Sequence, residues 1–200
     1  MKLRYSSASP FVRKVLVFAH ETGLESKIEC IKTDVWADGS DIVEDNPLGK
    51  IPALITPDGT FIGSALCCEY LDSLHGGRRL IPAEMPQRWR VLQQHALADG
   101  ILEAGVAYIV ETIRRPQAFI YAGMQERQRA KILRTLDRIE ATAEEAGGDI
   151  DLASITLGCA LGYLDFRLPN MDWRQSRPAL ASWFAAFDER TSMRATKPHL

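Results

Sequence analysis

The spacing of apolar positions changes near residue 78. Before it, short runs suited to strands alternate with stretches of helical period; after it, the helical period continues to the end. Residues 2–5 predict a short strand. Ser9 and Pro10 open a helix that runs to about Thr22 and stops at Gly23. A second strand is predicted over 27–32, and a weaker helical signal precedes Asn46. Residues 53–56 and 60–62 form a hairpin about Pro57-Asp58-Gly59, whose residue types suit a tight reversal. Ser64 then starts a helix ending near His75-Gly76-Gly77.

Gly76, Gly77, Pro82 and Pro86 punctuate a linker, placed at 79–87, and 88–115 reads as one long helix stopped by Pro116. Another helix follows Gly123 to about Ala146, ends at Gly147-Gly148, and carries Ile132, Leu136 and Ile139 at core spacing. Asp151 fits an N-cap before 152–167, where the run ITLGCALGYL predicts a helix buried on most faces. A last amphipathic helix is expected at 178–189. The chain therefore reads as an α/β domain over 1–78, a linker, and an all-α domain over 88–200.

Within the first half, NPLGKIPAL (46–54) is the most informative stretch. Pro52 has no N–H to give a sheet, so it belongs at a strand's first position, an edge or a bulge. The pattern around it favours a cis Ile51-Pro52 bond, which would turn the N–H and C=O of Ile51 outward to pair with a peptide ligand.

Composition narrows the classes. With 46% hydrophobic and 25% charged residues, the chain has the make-up of a globular protein rather than a disordered one. Its net charge of −2 gives no footprint for nucleic acid or an acidic membrane surface. No run approaches the ~20 apolar residues of a membrane span, and a signal-peptide core is missing, so a cytoplasmic protein is expected. Cys30, Cys67, Cys68 and Cys159 form no CxxC and no zinc spacing, which argues against dithiol chemistry and for structural thiols. The histidines are equally dispersed, and no metal is expected.

Four segments, SASPFVRKV (7–15), NPLGKIPAL, GSALCCEYLD (63–72) and DLASITLGCALGYLDFR (151–167), occur in the order and at the separations of the soluble glutathione transferases. Over essentially its whole length the chain resembles that superfamily, with the closest likeness to bacterial serine-type members. The resemblance implies a thioredoxin-like α/β N-terminal domain and an all-α C-terminal domain. It also implies glutathione as co-substrate, a small hydrophobic electrophile as partner, and a homodimer with the 88–115 helix at its interface.

A glutathione transferase must make a thiol nucleophilic. Lowering a thiol pKa from about 8.5 by two units needs about 2.7 kcal/mol of preferential stabilisation of the anion. A hydroxyl donor contributes about 1.5–3 kcal/mol, and a helix N-terminus roughly 0.3–1. Ser9 matches the family's catalytic serine and lies where both converge. By local sequence it is equally an N-cap, and Ser6, Ser7 and Tyr5 are nearby competitors. Phe11 belongs to the same glutathione-binding segment. The resemblance assigns Ile51 to backbone pairing with the cysteinyl unit, Lys50 to the glycyl carboxylate, and Ser64 to the γ-glutamyl carboxylate at a helix N-terminus.

Two positions depart from the family pattern. Gly63 stands where an acidic residue usually meets the substrate's α-amino group, which should weaken binding more than tenfold unless a second subunit compensates. Ser154 stands where the helix-capping box usually has an acid, so its reciprocal half should be weak. Tyr108, Thr112 and Phe166 are candidates for the electrophile pocket, each with core packing as the competing role. The main alternative is a glutathione-binding or interaction protein without transferase activity. A thiol transferase is disfavoured because position 9 is not cysteine.

Overall fold

A computed structural model of the chain describes residues 1–142 and 148–199. They form two compact units: Met1–Arg88 joined by the chain from Thr191 onward, and Trp89–Arg190.

The first unit contains β1 (Lys2–Tyr5), α1 (Pro10–Glu21), β2 (Glu29–Lys32), α2 (Ile42–Asp45), β3 (Ala53–Thr56), β4 (Gly59–Ile62) and α3 (Ser64–Asp72). The sheet has the order β2-β1-β3-β4. β1 and β2 are parallel, as a helical crossover requires, while β3 runs antiparallel to both β1 and β4. β2 starts two residues later than its pattern predicts, because residues 25–27 close a 3-10 turn with the Ile28 N–H on the Glu25 carbonyl at 3.1 Å. The Ile51-Pro52 peptide bond is cis, as its sequence setting favours.

α1 buries Val12, Val15, Phe18 and Ala19 completely, and α1 packs on α3. Leu3 and Leu54, at the centre of the sheet, are also inaccessible. Arg4 pins α2 to β1: its guanidinium donates to Asp41 at 3.0 Å and to Asp45 at 2.6 Å.

α3 stops at Asp72 rather than near His75. The Asp72 carboxylate is buried and accepts from the Leu80 and Ile81 N–H groups at 2.9 and 3.2 Å, with His75 Nε2 at 3.0 Å. Leu80 and Ile81 are buried too, so the start of the expected linker is anchored rather than loose.

The second unit comprises α4 (Met85–Ile113, its first turn still in the first unit), α5 (Ala122–Glu140), α6 (Leu152–Arg167) and α7 (Pro178–Phe187). α4 begins before the expected residue 88, because Pro86 sits in its first turn, where a missing N–H leaves no helical bond unmade. It ends at Ile113, ahead of Pro116. α5 ends at Glu140; the expected end near Ala146 and Gly147 falls among residues 143–147, outside the described ones. The Glu140 carboxylate caps α7, accepting from Ala179 and Leu180 at 2.9 and 2.8 Å, and Asp137 accepts from Arg177 at 2.6 Å.

α6 is buried along most of its length, and Thr156 on it meets His95 Nδ1 of α4 at 2.9 Å. Its capping box is complete, which corrects the expectation of a weak reciprocal half. Ser154 N–H donates to Asp151 Oδ1 at 2.8 Å, and Asp151 N–H donates to Ser154 Oγ at 2.9 Å. The short serine reaches back with its hydroxyl, which accepts the Asp151 N–H and also donates to the Asp151 carbonyl at 2.9 Å.

One element was not legible. α8 (Thr191–Ala195) lies in the expected helical half but packs on α1 in the first unit. Arg13 Nη2 donates to the Met193 carbonyl at 3.1 Å, and the Ser192 hydroxyl donates to Glu21. Five residues are too few to show a helical period.

Candidate functional site

Strand register gathers the N-terminal candidates. Leu3 pairs with Leu54 and Lys2 with Ile55, so continuing β1 by two places sets Tyr5 opposite Pro52. Ile62 of β4 pairs with Ala53. The loop holding Ser9, the Ile51-Pro52 bond and the Gly63-Ser64 turn therefore leave the sheet at one end.

Ser9 is the N-cap of α1. Its backbone is extended, its Oγ accepts the Val12 N–H at 3.3 Å, and the hydroxyl proton has no acceptor among the described residues. Capping uses the oxygen as acceptor and leaves the O–H to donate, so the two roles are compatible. Phe11, the second residue of α1, is half-buried, with the Lys14 ammonium 5.7 Å from its ring centre.

The competitor Tyr5 ends β1. Its phenol is held above its ordinary pKa, chiefly by burial and next by the charge of Cys30, while a Ser7 hydrogen bond acts the other way.

The turn before Pro52 is built by Asn46, a role its sequence position did not disclose. Asn46 is buried; its amide donates to the Lys50 carbonyl at 2.6 Å and accepts the Leu48 N–H at 3.0 Å. The turn closes with the Gly49 N–H on the Asn46 carbonyl at 2.8 Å, Gly49 taking φ +63°. The Asn-Pro-x-Gly pattern was the available signal. This leaves the Lys50 side chain exposed and the Ile51 N–H and C=O without hydrogen-bond partners among the described residues.

Gly63 caps α3 at φ +82°, ψ 132°, a conformation open to glycine and strained for other residues. It offers no side-chain cap. Ser64, buried, follows it at the first helical position, with the N-terminal N–H groups of α3 around it.

A cavity of about 70 Å³ opens beside Ser9. Its walls include Ser6, Ser7 and Arg13 and, from the folded-back tail, Lys197 and His199.

Tyr108, Thr112 and Phe166 lie in the second unit. Thr112 Oγ1 donates to the Tyr108 carbonyl at 2.8 Å and accepts from Gln125 at 3.0 Å, and Phe166 lies half-buried with the Arg167 guanidinium 4.6 Å from its ring centre. These are local helix and packing contacts.

Cys67, Cys68 and Cys159 are buried as expected of structural thiols, but Cys30 is exposed, because β2 is a sheet edge. Burial pushes the Cys67 thiol up to about 12, only partly offset by backbone hydrogen bonds and the charge of Lys14. Among the described residues, no cluster of three or more His, Cys, Asp or Glu side chains could hold a metal ion. No described helix is long and apolar enough to cross a membrane.

Comparison with known proteins bears on the same segments. Residues 8–74 match the family described as "Glutathione S-transferase, N-terminal domain", and residues 122–186 match "Glutathione S-transferase, C-terminal domain". An uncharacterised GST-like protein of Escherichia coli K12, YibF, is 34% identical over 99% of this chain and 98% of its own. A glutathione transferase family member from Pseudomonas fluorescens Pf-5, solved with bound glutathione, is 41% identical with a TM-score of 0.94, covering 100% of this chain and 99% of that one. A second structure of a family member from that strain, at 40% identity, TM-score 0.92 and full coverage of both chains, holds S-(propanoic acid)-glutathione. A glutathione S-transferase from Methylobacillus flagellatus KT with glutathione bound is 36% identical, with a TM-score of 0.92 over 99% of both chains.

Proposed function

The chain belongs to the glutathione S-transferase superfamily, and from that premise we propose that it binds glutathione, ionises its thiol at Ser9 and transfers it to a hydrophobic electrophile. The observation that carries the reading is the Ser9 hydroxyl, fixed by the Val12 amide with its proton free to donate at the N-terminus of α1. That donor and the helix end together account for most of the ~2.7 kcal/mol that a two-unit fall in thiol pKa requires. The relatives that hold glutathione, at 36% to 41% identity over nearly the whole chain, support the same ligand here.

In this reading the outward N–H and C=O of Ile51 pair with the cysteinyl unit, as one strand adds to another. Ser64 and the first turn of α3 take the γ-glutamyl carboxylate, and Lys50 the glycyl carboxylate. Phe11 and Gly63 flank these contacts. The thiol proton passes to water, and the sulfur lone pair then forms the new C–S bond as a leaving group departs with its electrons, or as a π pair shifts and takes a proton from water. Ser9 holds the anion and transfers no proton. Tyr108, Thr112 and Phe166 contribute to the electrophile pocket.

The protein works as a cytoplasmic homodimer through α4, where Trp89 is 62% exposed and supplies apolar contact surface. Sedimentation at micromolar concentration checks this, and a monomer would remove any compensation at Gly63 by a second subunit.

A second reading is favoured by one feature: Gly63 presents no carboxylate to the ligand's α-amino group. A protein that binds glutathione without transferring it would have this defect. An ultraviolet difference titration with glutathione across pH separates the two. A bound thiol titrating well below its free pKa supports the transferase; binding with an unshifted thiol supports the second reading.

A further inference from the structure

Resting on the glutathione-binding reading, we infer that the cavity beside Ser9 receives a carboxylate of the acceptor substrate. The electrophiles favoured are then hydrophobic compounds that also carry a carboxylate close to the reactive carbon.

Size sets the first limit. At about 70 Å³, where about 10–15 Å³ of such space holds one water, the cavity has room for a carboxylate. Its walls set the chemistry. Leu16 and Ala195 give it an apolar part, while Arg13, 5% exposed, Lys197 and His199 are cationic or neutral, Ser6 and Ser7 are hydroxyl residues, and no Asp or Glu lines it among the described residues. An ionised carboxylate is acceptor-only, and it fits the part of the wall that carries donors and positive charge.

The tail that brings Lys197 is held in place. Arg13 donates to the Met193 carbonyl at 3.1 Å, Thr196 Oγ1 donates to the Ser192 carbonyl at 2.8 Å, and the Lys197 N–H reaches the Arg194 carbonyl at 3.4 Å. The Lys197 ammonium itself has no ion pair among the described residues.

Ser9 is a wall of the same cavity. Sulfur held by Ser9 must come within about 3–3.5 Å of the carbon it attacks, and an acid seated in the cavity brings a neighbouring carbon to that edge. For an α,β-unsaturated acid, the sulfur lone pair forms the C–S bond at the β-carbon. The C=C π pair moves to the α-carbon, which takes a proton from water. Lys197 lowers the energy of the charge that builds up beside the acid during this step.

Calorimetric titration with glutathione, S-propylglutathione and S-(2-carboxyethyl)glutathione tests the inference. The acid thioether is expected to bind about three- to tenfold more tightly than the propyl thioether. The preference is expected to vanish in Lys197→Gln and to persist in Lys197→Arg. Equal binding of the two thioethers, or a preference that survives Lys197→Gln, overturns the inference while leaving the glutathione reading in place. Failure of all three ligands to bind overturns both.

Discussion

The Ser9 hydroxyl accepts the Val12 N–H at 3.3 Å, so the atom that caps α1 is also the atom placed to donate to a bound thiolate. The two roles use opposite ends of one O–H bond and can be separated by substitution. Ser9→Ala removes both, and is expected to lower stability by about 0.5–2 kcal/mol and turnover by about tenfold to a hundredfold. Ser9→Asp keeps a good cap but has no proton to give, so its melting temperature should stay near the parent's while thiol ionisation is lost. Wild-type turnover in either variant rejects Ser9 as the donor.

Gly63 has room for a side chain, since an added Cβ meets nothing within 4 Å, but its φ of +82° strains any other residue by about 1–3 kcal/mol. That strain falls on the folded state, whereas a new carboxylate acts on the ligand. Gly63→Asp is therefore expected to lower the melting temperature and tighten glutathione binding more than tenfold. Thermal unfolding and calorimetry on the same preparation check the pair. Lost stability with unchanged affinity would mean that the turn relaxes or the α-amino group already has a partner.

Alkaline pH should unfold the protein through two buried acids. Cys67 is pushed from an ordinary 9.0 up to about 12, and Tyr163 from 10.0 up to about 12, chiefly by burial in each case. The unfolded chain loses these protons first, so their contribution is intact below pH 9 and is lost as pH rises toward about 12. Each group adds a slope of about 1.4 kcal/mol per pH unit within its window. Urea midpoints measured across the range should fall accordingly, and Cys67→Ala should halve the slope once Tyr163 is also titrating. An unaltered slope in that variant would show that Cys67 titrates normally.

The Asp151–Ser154 capping box predicts a cost for removing either partner. Asp151→Ala is expected to cost about 0.5–2 kcal/mol and Ser154→Ala about 0.5–1.5, with the double variant less than additive. Denaturant unfolding of the three variants measures this. A neutral Ser154→Ala would restore the weak reciprocal half that the residue types alone suggest.

Much of the first unit was legible because its signals are local. Ser9-Pro10 placed the start of α1, Pro57-Asp58-Gly59 placed the hairpin, and the setting of Pro52 pointed to a cis bond, since each depends on backbone freedoms fixed by one or two residues. The apolar run of α6 was equally plain. Helix ends were less legible: Pro86 reads as a breaker in isolation but is compatible with the first turn of α4, and Glu140 caps a helix nearly forty residues away.

The residue types at the candidate site, and the family they belong to, were determined by the sequence itself, because motif order and spacing survive without coordinates. Three matters were decided by tertiary structure alone: the register that brings Ser9, Ile51 and Ser64 to one end of the sheet, the return of α8 to α1, and the Lys197 wall beside Ser9. Each joins residues far apart in the chain. Strand pairing and long-range hydrogen bonds depend on which surfaces meet after folding, and no local pattern encodes that meeting.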